Sequence, residues 1–281
     1  MSSVTVVGLG IIGSIWAGHY KDAGHEVRAW NRTPHPENPL FEKNLSIAVK
    51  GSELVHVCVA DPSAAEAVLQ EIVPALTKGA LVVQSSTISP SAAKSFSQKV
   101  RGAGMAYVEA PFTGSKPAAA DRQVVFFTGG EAGEKERARP FLEILSRKIF
   151  SFSTVEKAAA IKLAMNLQIA AISQCLTEGY HLAGRHGLSG EEFFSVLEYN
   201  VAHSGLADLK REKLLHRDYA PQFSIKHMAK DLRLAMESAE GLELSLTERT
   251  SDIYKKGLAA GAGDLDFIAL EKFVRELSKE D

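Results

Sequence analysis

Residues 4–30 read VTVVGLGIIGSIWAGHYKDAGHEVRAW, and this stretch decides the fold. Val4–Gly8 is a short β-branched run of the kind that makes a buried strand. Gly8, Leu9, Gly10, Ile11, Ile12 and Gly13 follow, then a helical stretch to Ala23 that Gly24 is placed to end. Glu26–Trp30 is a second strand. In this strand–turn–helix–strand setting each glycine has its own task. Gly8 permits the tight turn, Gly10 lets a pyrophosphate approach the backbone, and Gly13 lets the helix pack on the strand. The helix N-terminus offers N–H groups and a positive dipole to the phosphates. The stretch predicts a doubly wound α/β domain that binds a dinucleotide.

The end of the second strand bears on which dinucleotide. Eighteen residues beyond Gly13, where an NAD site places a carboxylate, stands Asn31, followed by Arg32 and Thr33. No acid is there to hold a free ribose 2′-hydroxyl. A guanidinium and two small polar side chains suit a 2′-phosphate, so NADP is expected. Asn-Arg-Thr-Pro is also good turn chemistry and can be read as a solvated turn.

From Pro34 to Ser52 the chain is broken by proline, and only Leu40–Val49 is expected to be helical. A strand at Glu53–Val59 leads to Ala60 and to Asp61-Pro62, a natural N-cap with proline at the first helical position. Leu81–Gln84 is a further strand, followed by Ser86-Thr87 and a second Ser-Pro cap at Ser89-Pro90. Ser86-Thr87 lies at the carboxyl edge of that strand, where open α/β sheets bind ligands; Val59 and Ala60 are likewise expected to contact the cofactor. Met105–Glu109 is another strand. The loop after it, with Thr113, Gly114 and Ser115, could hold a carboxylate through hydroxyls and successive N–H groups, or be an ordinary turn. Gln123–Phe127 and Lys148–Phe152 complete the expected strands.

Nine of the ten prolines lie at or before Pro140, and beyond about residue 154 the chain reads as helix after helix. Two domains are expected, 1–154 and 155–281. The second opens with Thr154–Gly187, which would run roughly 45–50 Å as one helix. Apolar on most faces, it should be buried on several sides. It carries Lys162 and Asn166 four residues apart, hence on one face. Taken alone, the pair is a lysine snorkelling to water and an asparagine bonded to nearby backbone.

With a net charge of -2 over 281 residues there is no electrostatic case for nucleic acid or an anionic membrane surface. No apolar run is expected to approach membrane-spanning length. Cys58 and Cys175 match no metal or redox spacing and read as two buried thiols in a reducing compartment. The N-terminal residues show no basic leader, and a cytoplasmic protein is expected. In the helical half, Ser189–Glu192 has capping-box spacing. Within Ser224–Leu242 and Glu243–Ala260, the stripes Ile225, Met228, Leu232 and Leu244, Ile253, Leu258 are expected in the core. The histidines of this half have no zinc-type spacing, and no metal is expected. Lys210, Arg211, Lys213 and Arg217 read as a solvated face.

Taken in order, the glycine turn with Asn31-Arg32-Thr33, Ser86-Thr87, the Pro111–Ser115 loop, Lys162-x-x-x-Asn166, Phe223–Asp231 and Gly263–Phe267 resemble the β-hydroxyacid dehydrogenase superfamily. The glyoxylate/succinic semialdehyde reductases look most similar. The resemblance implies a doubly wound Rossmann domain, then an all-helical domain for substrate and dimerisation, joined by the long helix. It implies Lys162 as the catalytic residue with Asn166 beside it, and Thr113, Gly114 and Ser115 near the substrate carboxylate. Phe223 would form the cleft wall, and Thr87 and Lys230 would line the cofactor. A homodimer or homotetramer acting on a small molecule is expected.

Three departures stand out: Glu156 and Ala158 replace two glycines usual before the lysine, Thr113 replaces a serine, and segment 34–52 is short. The expected reaction is NADPH-dependent reduction of a small aldehyde or keto acid bearing a carboxylate, Lys162 giving the proton. An imine reductase of the same architecture is one alternative, against which Lys162 argues. A non-catalytic NADPH-binding protein is the other.

Overall fold

The computed structural model describes residues 1–277. It parts into two compact units, Met1–Leu163 and a second from Ala164 onward, and the division falls inside a helix.

The first unit runs β1 (Ser3–Val7), α1 (Ile11–Asp22), β2 (Glu26–Trp30), α2 (Leu45–Val49), β3 (Leu54–Val57), α3 (Pro62–Ile72), β4 (Leu81–Gln84) and α4 (Pro90–Gly102). It continues through β5 (Ala106–Glu109), β6 (Phe112–Thr113), α5 (Lys116–Ala120), β7 (Val124–Gly129), α6 (Ala132–Glu143) and β8 (Ser146–Phe152). The sheet order is β2-β1-β3-β4-β5-β7, and the strands from β2 to β5 are parallel. β5 and β6 lie against β7 in one antiparallel ladder, Glu109 opposite Gly129 and Phe112 opposite Phe126; β8 pairs with β7 in parallel.

The doubly wound arrangement follows from strands that are apolar on both faces. Val4 and Val6 pack with Trp16, Tyr20 and Phe141 on one side. Val7, Val55 and Val57 pack with Leu69, Phe96 and Val100 on the other. A polar chain crosses the first of these layers. The hydroxyl of Ser85 donates to Ala110 O at 2.7 Å, so it accepts from Nε2 of His56 at 2.8 Å; Nδ1 of His56 then accepts from Tyr20 Oη at 2.9 Å. His56 is therefore the neutral Nε2–H tautomer, and burial holds its pKa down at about 3.

The expected caps form: Asp61 accepts from Ala64 N and Ser89 from Ala92 N. Most boundaries shift by a residue or two, and two have a visible cause. β3 ends at Val57 rather than Val59, because Val59 N–H turns away to the Ser86 hydroxyl at 2.8 Å. Residues 40–49 are helical only over α2: Asn44 caps it, and Phe41 is drawn into a bridge with Ala29 beside β2.

The long helix α7 (Val155–Arg185) is continuous across the division between the units. The second unit adds α8 (Gly190–Leu197), α9 (Gly205–His216), α10 (Ile225–Glu237), α11 (Ser245–Ala259), a 3₁₀ turn at Phe267–Leu270, and α12 (Glu271–Leu277). Its core gathers Ala170, Ile225, Met228, Leu232, Tyr254 and Phe267, and the capping box at Ser189 and Glu192 forms.

Five expectations are corrected here. Lys210 is no surface residue: it is fully buried and bonds both oxygens of the fully buried Asp266, at 2.8 and 3.0 Å. Lys213 is buried too, donating to Ala220 O at 2.7 Å and Asp218 Oδ2 at 3.1 Å. α11 buries Thr247, Thr250, Ser251, Tyr254 and Gly257, while Leu258 is exposed. Cys175 is exposed, whereas burial pushes the Cys58 thiol up to about 12. Finally, a window of α7 with mean hydropathy 1.3 has the length and composition of a membrane crossing; core helices of this length share both.

Candidate active site

The glycine turn sits at the carboxyl end of β1 and is built for close approach. Gly8 has φ +109° and donates its N–H to Trp30 O at 2.8 Å. A Cβ on Gly8 would lie 2.2 Å from Cys58 O, and one on Gly13 would lie 1.8 Å from Gly8 O. A Cβ on Gly10 would meet nothing within 4 Å. Two glycines thus let backbone pack on backbone, while the third leaves the mouth of the turn clear at the start of α1. That is the cradle a dinucleotide pyrophosphate fits. Leu9 is buried, Ile12 half-buried and Ile11 exposed at the same turn.

Asn31 ties this turn to the end of β2: its Oδ1 accepts from Leu9 N at 3.0 Å and its Nδ2 donates to Thr33 O at 3.0 Å. Its side chain therefore shapes the pocket. Arg32 and Thr33 are exposed beside it and provide the guanidinium and hydroxyl at this edge. Val59 is half-buried and Ala60 exposed past the end of β3, and Thr87 is half-buried past the end of β4. The three turns lie side by side because β1, β3 and β4 are adjacent.

The loop expected to hold a carboxylate follows β5. Thr113 pairs with Val125 across the ladder, and Gly114 takes φ +132°, a conformation that favours glycine. Ser115 is the N-cap of the five-residue α5 and makes no side-chain cap bond. Phe112, one residue before Thr113, packs edge-on against Trp16 at 4.8 Å.

Lys162 of α7 is 8% exposed, and its ammonium lies 5.9 Å from the centroid of the Phe112 ring. The residue as a whole is buried, and its amino group lies beside Phe112, which leads into the Thr113–Ser115 loop. Ala158, one turn earlier, is fully buried, and a Cβ on Gly129 would come within 2.8 Å of its methyl. The glycine at 129 leaves room for the alanine at 158.

Asn166 lies one turn beyond Lys162 on α7 and is 2% exposed. Its Nδ2 donates to Oδ2 of Asp231 on α10, itself 1% exposed. Lys230 Nζ stands 2.9 Å from the other carboxylate oxygen, Oδ1, at an angle that makes it a charge contact and not a hydrogen bond. Sequence reasoning missed Asp231 as a site residue; its signal was the acid directly after Lys230. Phe223 is half-buried, its N–H donating to Asp266 Oδ2 at 3.4 Å and its ring 5.8 Å from that of His227. Burial, then the charges of Lys230 and Lys226, hold His227 below its usual pKa.

The first unit thus brings together the glycine turn, Asn31–Thr33, Val59–Ala60, Thr87, the Thr113 loop and Lys162. The second brings together Asn166, Lys230 and Asp231, with Phe223 on the turn leading into α10.

Residues 3–154 match the family model described as the NAD binding domain of 6-phosphogluconate dehydrogenase. Residues 157–274 match the one described as NAD-binding of NADP-dependent 3-hydroxyisobutyrate dehydrogenase. Glyoxylate/succinic semialdehyde reductase 1 of Arabidopsis thaliana is 27% identical, over 97% of this chain and 99% of its own. The cytokine-like nuclear factor N-PAC of Aedes aegypti is 29% identical over 89% of this chain, which spans 46% of that protein. Among solved structures, the 3-hydroxyisobutyrate dehydrogenase of Mycobacterium tuberculosis with L-serine superposes with TM-score 0.87 at 26% identity, covering 98% of this chain and 99% of that one.

Proposed function

We infer the activity from membership: the chain belongs to the β-hydroxyacid dehydrogenase family. The activity of that family is oxidoreduction between a hydroxy acid and its oxo form with a nicotinamide cofactor. We propose that this chain uses NADPH and reduces small aldehydes or keto acids that carry a carboxylate, glyoxylate and succinic semialdehyde being the model substrates. The cofactor, when bound, supplies the hydride.

The chain's own residues supply the rest. The glycine turn holds the pyrophosphate, and Arg32 suits a 2′-phosphate. Thr113, Gly114 and Ser115 offer hydroxyl and N–H donors to a carboxylate. Lys162 gives a proton to the carbonyl oxygen, and its ammonium stabilises the charge that develops there. Asn166, with Asp231 accepting from its amide, is fixed in orientation and can hold the oxygen or the lysine.

The observation that carries this reading is the buried residue Lys162, whose ammonium lies beside Phe112 at the start of the Thr113–Ser115 loop. A lysine snorkelling from the surface would be largely exposed; this residue is buried with its ammonium against Phe112. Steady-state turnover of glyoxylate and of succinic semialdehyde, each with NADPH and NADH, is the test. Turnover of either with NADPH preferred supports the reading. Tight NADPH binding without turnover of any small oxo acid would favour the non-catalytic alternative.

A further inference from the structure

Beneath the carboxyl edge of β4 and β5 lies a closed polar network that substrate and cofactor chemistry leave unused. Gln84, the last residue of β4, folds its amide back on the chain. Its Oε1 accepts from Ser86 N at 2.6 Å and its Nε2 donates to Ser86 O at 3.0 Å. The same Nε2 donates to Glu109 Oε1 at 3.2 Å, and Tyr107 Oη donates to Glu109 Oε2 at 2.6 Å. Gln84, Tyr107 and Glu109 are fully buried. Past the end of β4, one side chain therefore satisfies both backbone groups of Ser86. The Ser86 N–H, which can only donate, determines which end of the Gln84 amide is oxygen, because a flipped amide would set two donors against each other.

The clamp reaches one loop further. Ser86 Oγ accepts from Val59 N at 2.8 Å, tying the turn after β4 to the turn after β3. The sheet order β2-β1-β3-β4 says what those turns are for. Arg32 and the expected 2′-phosphate lie at the end of β2, and the pyrophosphate cradle lies at the end of β1. The nicotinamide half of a dinucleotide must then extend over β3 and β4.

We propose that Gln84 and Glu109 are positioning residues for the nicotinamide half of the cofactor, holding the Val59–Ala60 and Ser86–Thr87 turns in the register that half needs. Being fully buried, neither touches the cofactor. The inference rests on the dinucleotide reading and is independent of which substrate is reduced.

The test compares a whole cofactor with its adenosine half. NADPH and adenosine 2′,5′-bisphosphate are titrated against the full chain by fluorescence or calorimetry, without substrate. Gln84→Met should weaken NADPH about tenfold, the worth of a buried hydrogen-bonded clamp. Ser86→Ala removes only the tie to Val59 and should weaken NADPH several-fold, roughly the worth of one neutral hydrogen bond. It serves if the methionine variant does not fold. Both variants should hold adenosine 2′,5′-bisphosphate as the wild type does. Unchanged NADPH affinity in a folded Gln84→Met or Ser86→Ala protein would overturn the inference. So would parallel loss of both probes, which a merely structural network would give. A wild type that binds NADH instead is tested the same way with NADH and AMP. One that binds neither dinucleotide overturns the cofactor reading, and this inference with it.

Discussion

The Lys162 ammonium lies 5.9 Å from the centre of the Phe112 ring, and Phe112 is the residue before Thr113 and Gly114. The ring is itself fixed, edge-on to Trp16 at 4.8 Å and tilted against Phe126 at 6.0 Å. A cation near an aromatic face gains electrostatic stabilisation that grows as water is excluded. The proposed proton donor is thus placed beside a ring that packs on the α1 core, the kind of fixed surroundings a preorganised site requires.

At the other end of the sheet edge, Arg32 is exposed just past β2, where no carboxylate stands. Arg32→Ala should remove a charge-assisted contact to the 2′-phosphate worth about 1.5–3 kcal/mol. Titration with both cofactors measures this: NADPH should weaken by that amount and NADH should not change. Equal wild-type affinities would sink the NADP assignment.

The buried pair Lys210–Asp266 makes a prediction about stability. Asp266 also accepts from Gln222 N at 2.9 Å and Ile268 N at 3.1 Å, so its carboxylate organises the turn leading to Phe223. Burial lowers the Lys210 pKa and the Asp266 charge opposes the shift. Lys210→Met leaves that carboxylate without its cation and should cost about 3–5 kcal/mol in chemical denaturation. A loss under about 1 kcal/mol, the worth of a surface pair, would contradict the burial.

Much of this could be read in the sequence, and what could not has a common cause. The glycine turn, the strands Glu26–Trp30 and Leu81–Gln84, the caps at Asp61 and Ser89 and the long helix are local patterns, set by neighbours within a few residues. Lys210 and Lys213 misled because Lys-Arg-x-Lys is what an exposed helix face shows; the carboxylate that buries Lys210 is 56 residues away. On α11 the buried face is mostly polar, Thr247, Thr250, Ser251, Tyr254 and Gly257; Ile253 packs half-buried against the core but Leu258 is exposed, so hydrophobic spacing found only part of that face. Glu109 and Gln84 meet only because β4 and β5 pair with those residues in register.

Glu109 carries a pH prediction. Burial pushes its carboxyl from 4.5 up to about 8, against the hydrogen bonds from Tyr107 and Gln84. The folded state therefore holds its proton more tightly than the unfolded chain. The stabilisation is complete below pH about 4.5 and is lost as pH rises through about 8. Glu109→Gln does not titrate, so its stability relative to wild type should rise by about 3–5 kcal/mol between those limits. Denaturant melts of both proteins at several pH values measure the difference. A constant difference would show that the carboxyl ionises normally.

The most direct measurement is turnover of Lys162→Ala and Lys162→Arg beside the wild type, with NADPH affinity and melting curves recorded on the same samples. General acid catalysis is worth about 10²–10⁴ in rate, so the alanine variant should lose that much kcat while NADPH affinity stays nearly unchanged. Arginine keeps the charge but cannot release a proton near neutral pH, so it should fail almost as badly. Rescue by arginine would show that charge alone suffices. Normal turnover in a normally melting Lys162→Ala protein would contradict the account at its centre.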